Sequence, residues 1–139
     1  MTEASGGAVR VVIVDDSSSI RAALRSLLDT VPMTDVIGEA ADGLEGVDVV
    51  LELRPDVVVM DMQMPNLDGI SAARQILEEW PGAQILMNSA YTDESLMAEA
   101  DSYGVKGYLS KDLRPAKLVR AIVALGQLAQ HDDAPLSTA

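Results

Sequence analysis

The sequence predicts an α/β fold in which helices cover both faces of a five-stranded parallel sheet. Two observations lead to this prediction. Short runs rich in β-branched residues alternate strictly with longer segments whose apolar residues recur every three or four positions, and this alternation repeats five times along the chain. Strands that alternate with helices form parallel sheets, because each helix provides the crossover that returns the chain to the same edge.

The first two units have the clearest periodicity. Residues 10–14 form a β-branched run that predicts a buried strand. Residues 17–31 place apolar side chains at i, i+3, i+4, i+7, i+8 and i+11, which predicts an amphipathic helix. Residues 34–40 predict a second, more exposed strand. Residues 44–53 predict a second helix, which ends before Pro55 because the residue before a proline disfavours helical geometry.

The third unit contains the most β-branched segment of the chain. Residues 56–60, with the sequence DVVVM, predict a central strand. Asp61 follows directly, and the segment MQMPNLDG predicts a loop because it combines a proline with an Asp-Gly turn signal. Residues 69–80 predict a third helix, which Pro81 and Gly82 end.

The last two units are shorter and more polar. Residues 84–87 and 107–109 predict the fourth and fifth strands. Residues 92–103 predict a fourth helix that is rich in acids and poor in apolar residues. Residues 115–130 predict a fifth helix, for which a proline in the first turn is well suited.

The composition excludes several functional classes. The chain has 139 residues, 48% of them hydrophobic, which fits one globular domain. Its formal charge is −12, with 10 basic against 22 acidic residues, and this balance argues against nucleic-acid binding by this chain. No apolar run approaches the ~18 residues of a membrane span. The absence of cysteine and of a secretory signal pattern fits a cytoplasmic protein.

We expect a single folded domain over residues 8–130. Residues 1–7 and 131–139 are polar or small, and we expect them to be flexible termini. The second terminus can serve as a linker. No DNA-binding domain follows residue 130 in this sequence, so a free-standing domain and a portion of a longer regulator both stay open.

Polar residues follow four of the predicted strands. They are Asp15, Asp16, Asp61, Asn88, Ser89 and Lys111. A parallel sheet gathers such residues at one edge, and three carboxylates there repel one another unless a cation is present. A ligand set of oxygen atoms alone favours Mg²⁺, with Mn²⁺ as a possible substitute. A carboxylate beside a divalent cation, an ammonium and a hydroxyl is placed to accept a phosphoryl group.

Each of these residues also has an ordinary structural interpretation. A single aspartate after a strand is most often a helix cap or a solvated loop residue, and Ser17 or Ser18 can cap the first helix as well as Asp16 can. The remaining acids, including Asp42, Asp68 and those of the fourth helix, are interpreted as a solvated surface. The coincidence of the whole polar set at one predicted edge favours a site.

Four segments resemble the receiver domain of two-component response regulators, and they are VDDSSSIRAAL, PDVVVMDMQMPNLDG, NSAY and GYLSKD. They match the family's acidic pair, the surroundings of its phosphorylated aspartate, its Ser-Ala pair, and its aromatic residue and lysine. The resemblance covers residues 8–126 and is greatest to CheY-like receivers joined to a LuxR-type helix-turn-helix. It implies the flavodoxin-like strand order 2-1-3-4-5 and transcriptional control as the output.

The resemblance also implies roles for single residues. Asp61 would accept the phosphoryl group from a sensor histidine kinase. Asp16 and Asp61 would ligate Mg²⁺ together with the backbone carbonyl of Gln63, and Asp15 would act through a water molecule. Lys111 would bind the phosphoryl group.

Further implied roles concern switching and the loop after Asp61. Ser89 would bind the phosphoryl group and, with Tyr108, form the switch that changes the face of helix four, strand five and helix five. Pro65 and Gly69 would shape the loop. That face would contact an output domain or an effector protein, and phosphorylation-dependent homodimers are compatible with it.

Four positions are of special interest. Asn88 and Val105 depart from the residues usual in the family, and both departures can change switching. Gln63 and Tyr91 occupy the positions that tune hydrolysis of the phosphoaspartate, and the bulk of Tyr91 predicts a long-lived phosphorylated state.

The resemblance predicts a phosphoacceptor switch, not an enzyme beyond its own phosphorylation and dephosphorylation. Three alternatives stay open. A flavodoxin-like electron carrier shares the expected strand order, but Asp15 and Asp16 would repel a flavin phosphate. A phosphatase usually has a second acid two residues after the nucleophile, where this chain has Gln63. A degenerate receiver would lack one of the site residues, and all are present.

Overall fold

The computed structural model describes residues 7–90, 93–111 and 114–132. Five strands alternate with five helices. The strands are β1 (Val9–Val14), β2 (Thr34–Ala40), β3 (Val57–Asp61), β4 (Ile85–Ser89) and β5 (Gly107–Ser110). The helices are α1 (Ser18–Asp29), α2 (Gly43–Leu53), α3 (Gly69–Glu79), α4 (Glu94–Ser102) and α5 (Pro115–Asp132). The predicted elements are confirmed, although most bounds shift by one or two residues and α5 continues two residues past its predicted end.

The strands form one parallel sheet in the order β2-β1-β3-β4-β5, which confirms the predicted fold class. The register aligns the carboxyl ends of the central strands. Val14 pairs with Met60, Asp61 pairs with Asn88, and Ser89 pairs with Ser110. The residues that follow β1, β3, β4 and β5 therefore meet along one edge of the sheet.

Alternation of side chains along the strands divides the core between the two faces of the sheet. Val57 and Val59 belong to the cluster that packs against α1 and α5. Val58 and Met60 belong to the cluster that packs against α2, α3 and α4. All five residues of β3 are buried, as expected for the central strand of a sheet covered on both faces.

Aspartates cap three of the helices, which corrects the interpretation of the acids outside the site as a merely solvated surface. Asp42 accepts a hydrogen bond from the backbone N–H of Glu45 at 2.8 Å, Asp68 from Ser71 at 2.9 Å, and Asp93 from Leu96 at 3.1 Å. A carboxylate at the first turn satisfies an otherwise unpaired N–H and interacts favourably with the helix dipole. These acids therefore stabilise the helix starts. In α1 the capping residue is Ser17, not Asp16.

Within the part of the chain that the structure describes, no helix is long and apolar enough to cross a membrane.

Helix α5 lies close to β1 because residue 126 is a glycine. A β-carbon added at Gly126 would lie 2.2 Å from Cγ1 of Val9. Val9 itself is buried and belongs to the core cluster between α1, α5 and the sheet. The absence of a side chain at Gly126 thus sets the distance between this helix and the sheet.

We expect Gly126→Ala to lower the free energy of unfolding by about 1–3 kcal/mol, because the added methyl group forces α5 away from β1. Urea denaturation measures the change. Gln127→Ala, at the exposed next position of the same helix, serves as the control and should change stability by less than ~0.5 kcal/mol. Equal stabilities of Gly126→Ala and the wild type would show that the helix–sheet distance adjusts freely.

Candidate functional site

Three carboxylates meet at the carboxyl edge of the sheet. Asp15 and Asp16 follow β1, and Asp61 ends β3. One carboxylate oxygen from each residue lies within 4.8 Å of one from each of the others. Asp15 and Asp61 are buried, at 2% and 7% exposure, whereas Asp16 is exposed to solvent. Two buried carboxylates and an exposed one thus share a small volume.

Lys111 lies between the two buried carboxylates. Its Nζ is 3.1 Å from Oδ2 of Asp15 and 3.3 Å from Oδ1 of Asp61. The backbone N–H of Lys111 donates to the carbonyl of Ser89 at 2.7 Å, which anchors the lysine to the end of β4. One ammonium faces three carboxylates, so the cluster retains a negative charge.

The pKa values of both Asp61 and Lys111 are raised within the cluster. Burial, followed by repulsion from Asp15, raises the pKa of Asp61 above its ordinary value, although Lys111 acts in the opposite direction. Burial lowers the pKa of Lys111, but hydrogen bonds and charges from Asp15 and Asp61 together outweigh it and raise the pKa. The lysine therefore stays protonated. Its single positive charge does not offset the burial and repulsion that disfavour the ionised form of Asp61.

The two neighbouring aspartates of the pair differ in their partners. Oδ1 of Asp15 accepts the backbone N–H of Ser17 at 2.9 Å, and its other oxygen faces Lys111. The backbone carbonyl of Asp15 accepts a bond from the guanidinium of Arg21 at 2.7 Å. Within the described residues, no hydrogen bond or ion pair occupies the carboxylate of Asp16. Asp16 is therefore the aspartate of the pair that is open to a new partner.

The loop between β3 and α3 is held tightly against the sheet edge. A β-carbon at Gly69 would lie 2.0 Å from the carbonyl oxygen of Asp61, and the N–H of Gly69 donates to the carbonyl of Met62 at 2.8 Å. The N–H of Gln63 points toward Oδ1 of Asp61 at 3.4 Å, while its side chain is exposed. Only a glycine at position 69 permits this close return of the chain.

The loop has a second connection, which the sequence did not indicate. Asn66 has a positive φ of 69° and donates through Nδ2 to Oδ2 of Asp42 at 2.8 Å. This bond joins the loop to the first turn of α2, and it lowers the pKa of Asp42 together with the N–H of Glu45, which has the larger effect. The Asn-Leu-Asp-Gly segment signalled a turn, but nothing in the sequence identified a partner 24 residues away.

Ser89 ends β4, and Tyr108 lies on the neighbouring strand β5, where it pairs with Met87. Ser89 is buried at 3% exposure, and the two side chains are hydrogen-bonded to each other. Burial raises the pKa of Tyr108, and the charge of Asp93 raises it further, whereas the bond to Ser89 lowers it. The serine and the tyrosine that the resemblance couples are thus in direct contact.

The structure brings most of the predicted site residues together. Asp15, Asp16, Asp61, Lys111 and Ser89 converge at one edge. Gly69 and Pro65 lie in the adjoining loop, where the N–H of Leu67 donates to the carbonyl of Pro65 at 2.7 Å. Asn88 is buried beside Asp61 on the neighbouring strand, and Val105 is buried before β5. Tyr91 lies outside the described residues.

The model of the response regulator receiver domain family matches residues 11–123. The chain belongs to this family. The transcriptional regulatory protein YhcZ of Bacillus subtilis is 38% identical over 112 residues, which span 81% of this chain and 52% of YhcZ.

Solved receiver structures have the same fold. A LuxR-family response regulator from Aurantimonas is 35% identical with a TM-score of 0.82, and the match covers 86% of each chain. CheY of Borrelia burgdorferi, in a complex with CheX, BeF₃ and Mg²⁺, is 30% identical with a TM-score of 0.81, covering 87% of this chain and 91% of that one. This receiver therefore spans about half the length of YhcZ but most of the length of CheY.

We expect Asp61→Asn to raise the melting temperature of the receiver by several degrees at pH 7 without divalent cations. The pKa of Asp61 is raised, so its ionised form opposes folding, and stability falls as the pH rises through that pKa. The neutral amide removes the repulsion from Asp15. Differential scanning calorimetry measures the shift.

Asp35→Asn, at an exposed position on β2, is the matched control and should leave the melting temperature unchanged. Adding Mg²⁺ should stabilise the wild type more than Asp61→Asn, because a cation that binds the folded state stabilises it. A lower melting temperature of Asp61→Asn in the cation-free protein would contradict the electrostatic account.

Proposed function

We propose that this receiver accepts a phosphoryl group on Asp61 from a sensor histidine kinase and thereby switches an output. One observation supports the proposal above the others. The ammonium of Lys111 lies between Asp15 and Asp61, at 3.1 and 3.3 Å, in a cluster that retains excess negative charge. This arrangement places the nucleophilic carboxylate of Asp61 beside a fixed positive charge. The carboxylates of Asp15 and Asp16 lie close by and can bind a cation.

The residues present fit a divalent cation. Asp16 and Asp61, with the backbone carbonyl of Gln63, would ligate it, and Asp15 would act through water. The contacts support this division of roles, because both oxygens of Asp15 already have partners whereas the carboxylate of Asp16 is open among the described residues. Oxygen ligands without nitrogen or sulfur favour Mg²⁺. The Borrelia CheY relative binds Mg²⁺ together with BeF₃ in its solved complex.

The transfer itself uses groups of this chain. A carboxylate oxygen of Asp61 attacks the phosphorus of a phosphohistidine, the phosphorus–nitrogen bond breaks, and the imidazole nitrogen leaves with the bonding electrons. Lys111 stabilises negative charge on the phosphoryl oxygens as it develops. Bound Mg²⁺ supplies the additional positive charge that brings the anionic donor and the carboxylate together.

The phosphoryl group would change the switch through its charge and its acceptor oxygens. The hydroxyl of Ser89, at the end of β4, is a candidate donor to the phosphoryl group, and this bond would compete with its bond to Tyr108. Tyr108 would then turn inward and alter the face formed by α4, β5 and α5. Among the helices, α4 is the least firmly packed, since Ala100 is its only buried residue within the described helix.

The receiver would act in the cytoplasm, and its output would be the control of transcription. YhcZ is a transcriptional regulator of which this chain matches about half, and the Aurantimonas structure is of a LuxR-family regulator. Residues 8–130 would form the receiver, and the segment after α5 would lead to an output domain or leave the receiver free-standing. This chain itself would act as a switch, with no catalysis beyond its own phosphorylation and dephosphorylation.

Acetyl phosphate tests the proposal without the kinase. Incubation with Mg²⁺ should add one phosphoryl group to the wild type, as measured by intact-protein mass spectrometry, and none to Asp61→Asn. Asp48→Asn, an exposed aspartate on α2, is the matched control and should be modified like the wild type. An adduct of equal extent in Asp61→Asn would show that another residue is the acceptor.

The cation site has its own test. We expect Asp16→Asn to weaken Mg²⁺ binding at least about tenfold, because it removes a directly ligating charge. Isothermal titration calorimetry measures the affinity, with Asp35→Asn as the control that keeps the same net charge. Unchanged Mg²⁺ affinity of Asp16→Asn would assign the binding to Asp15 and Asp61 alone and would remove Asp16 from the proposed ligand set.

A further inference from the structure

A cavity of about 530 Å³ lies at the amino ends of the strands, at the edge of the sheet opposite to the carboxylate cluster. Its walls come from the end of α2, the end of α3, the starts of β3, β4 and β5, and the end of α5. Cavities that bind small molecules have volumes of roughly 300–1,000 Å³. This cavity therefore has the size of a ligand site and is separate from the proposed phosphorylation site.

Two cations line the cavity, and neither has an acidic partner among the residues that the structure describes. They are Arg54 and Lys106. Four other basic residues of the described chain form ion pairs, namely Arg21, Arg25, Arg74 and Lys111, so Arg54 and Lys106 are distinguished by their shared position in one wall and not by the lack of a partner alone. In a protein with a formal charge of −12, two unpaired cations in one concave wall indicate a site for an anion.

The position of Arg54 is fixed by the local structure. Arg54 ends α2 in the left-handed conformation, with φ of 47°, where glycine is the usual residue. Its guanidinium lies 4.8 Å from the centroid of the Trp80 ring. The Nε–H of Arg54 donates to the carbonyl of Leu51 at 3.4 Å. The cation–π contact holds the charged group at the cavity wall, and the N–H groups of the two terminal nitrogens are available to an anion.

The polar groups of the wall favour an anion that also carries a donor. Asp56 is the acid of this wall, and its Oδ2 already accepts the N–H of Arg10 at 2.9 Å and Nε2 of Gln130 at 3.1 Å. Gln84 is buried at 6% exposure, and its Oε1 has no hydrogen-bond partner in the described structure. A buried amide oxygen without a donor is costly, so the wall has an unmet need for an N–H or O–H group.

We propose that this cavity binds a small organic anion that has carboxylate or phosphate groups and at least one hydroxyl or N–H donor. Arg54 and Lys106 contact the anionic groups, and Gln84 accepts the donor. The site does not depend on the phosphorylation of Asp61, so failure of either proposal leaves the other intact.

The single tryptophan of the chain makes the cavity measurable, because Trp80 lines it. Citrate, which has three carboxylates and a hydroxyl, is the probe. It is titrated at constant ionic strength into protein that has been passed over a chelating resin, so that divalent cations are absent and no second polycarboxylate is present. We expect a saturable change in Trp80 fluorescence, and no change with glycerol, which has hydroxyl groups but no charge.

Matched variants assign the binding. Lys106→Gln leaves the Arg54–Trp80 contact in place and should weaken citrate binding about tenfold, since it removes one charged contact. Lys117→Gln removes an exposed lysine from α5 and should bind citrate like the wild type. Arg54→Gln should also weaken citrate binding. Because this substitution changes the surroundings of Trp80 itself, the citrate affinity of this variant is measured by calorimetry instead of fluorescence.

Three results would overturn the proposal. They are the absence of a saturable response in the folded wild type, equal citrate affinities of Lys106→Gln and Lys117→Gln, and loss of the response in Lys111→Gln, which would place the anion at the phosphorylation site. Circular dichroism of each variant shows that it is folded.

Discussion

Repulsion among Asp15, Asp16 and Asp61 is the constraint on which the rest of this receiver depends. Two of these carboxylates are buried, and Lys111 offsets only part of their charge. Burial of like charges is tolerated only where hydrogen bonds and opposite charges compensate it. The parallel sheet meets this requirement because its register brings the ends of β1, β3 and β5 to one edge, where the lysine and the three acids come from distant parts of the chain.

The strained and tightly packed parts of the chain are those that support this cluster. Gly69 permits the return of the loop to the carbonyl of Asp61, and a β-carbon at Gly43 would lie 1.9 Å from the carbonyl oxygen of Leu67 in the same loop. Asn66 adopts a left-handed conformation to reach Asp42. The loop is thus fixed at its end and in its middle, so the backbone next to Asp61 is positioned before any cation or phosphoryl group arrives.

The two edges of the sheet have opposite electrostatic character. The carboxyl edge concentrates acids around one lysine, whereas the amino edge exposes Arg54 and Lys106 around a cavity. Helices α2 and α3 run from one of these ends of the sheet to the other. The sheet, whose central strand is buried along its whole length, separates the two regions.

The five alternating units, the parallel sheet and the main members of the carboxylate cluster could be predicted from the sequence, because hydrophobic periodicity indicates the type of each element and a parallel sheet gathers the residues that follow its strands. The sequence did not determine the helix-capping roles of Asp42, Asp68 and Asp93, since a cap depends on the actual first turn of a helix. Nor did it distinguish buried Asp15 from exposed Asp16, which are adjacent in the chain. The Asn66–Asp42 bond and the cavity beside Trp80 join residues far apart in sequence, and only tertiary packing brings such groups within hydrogen-bonding distance.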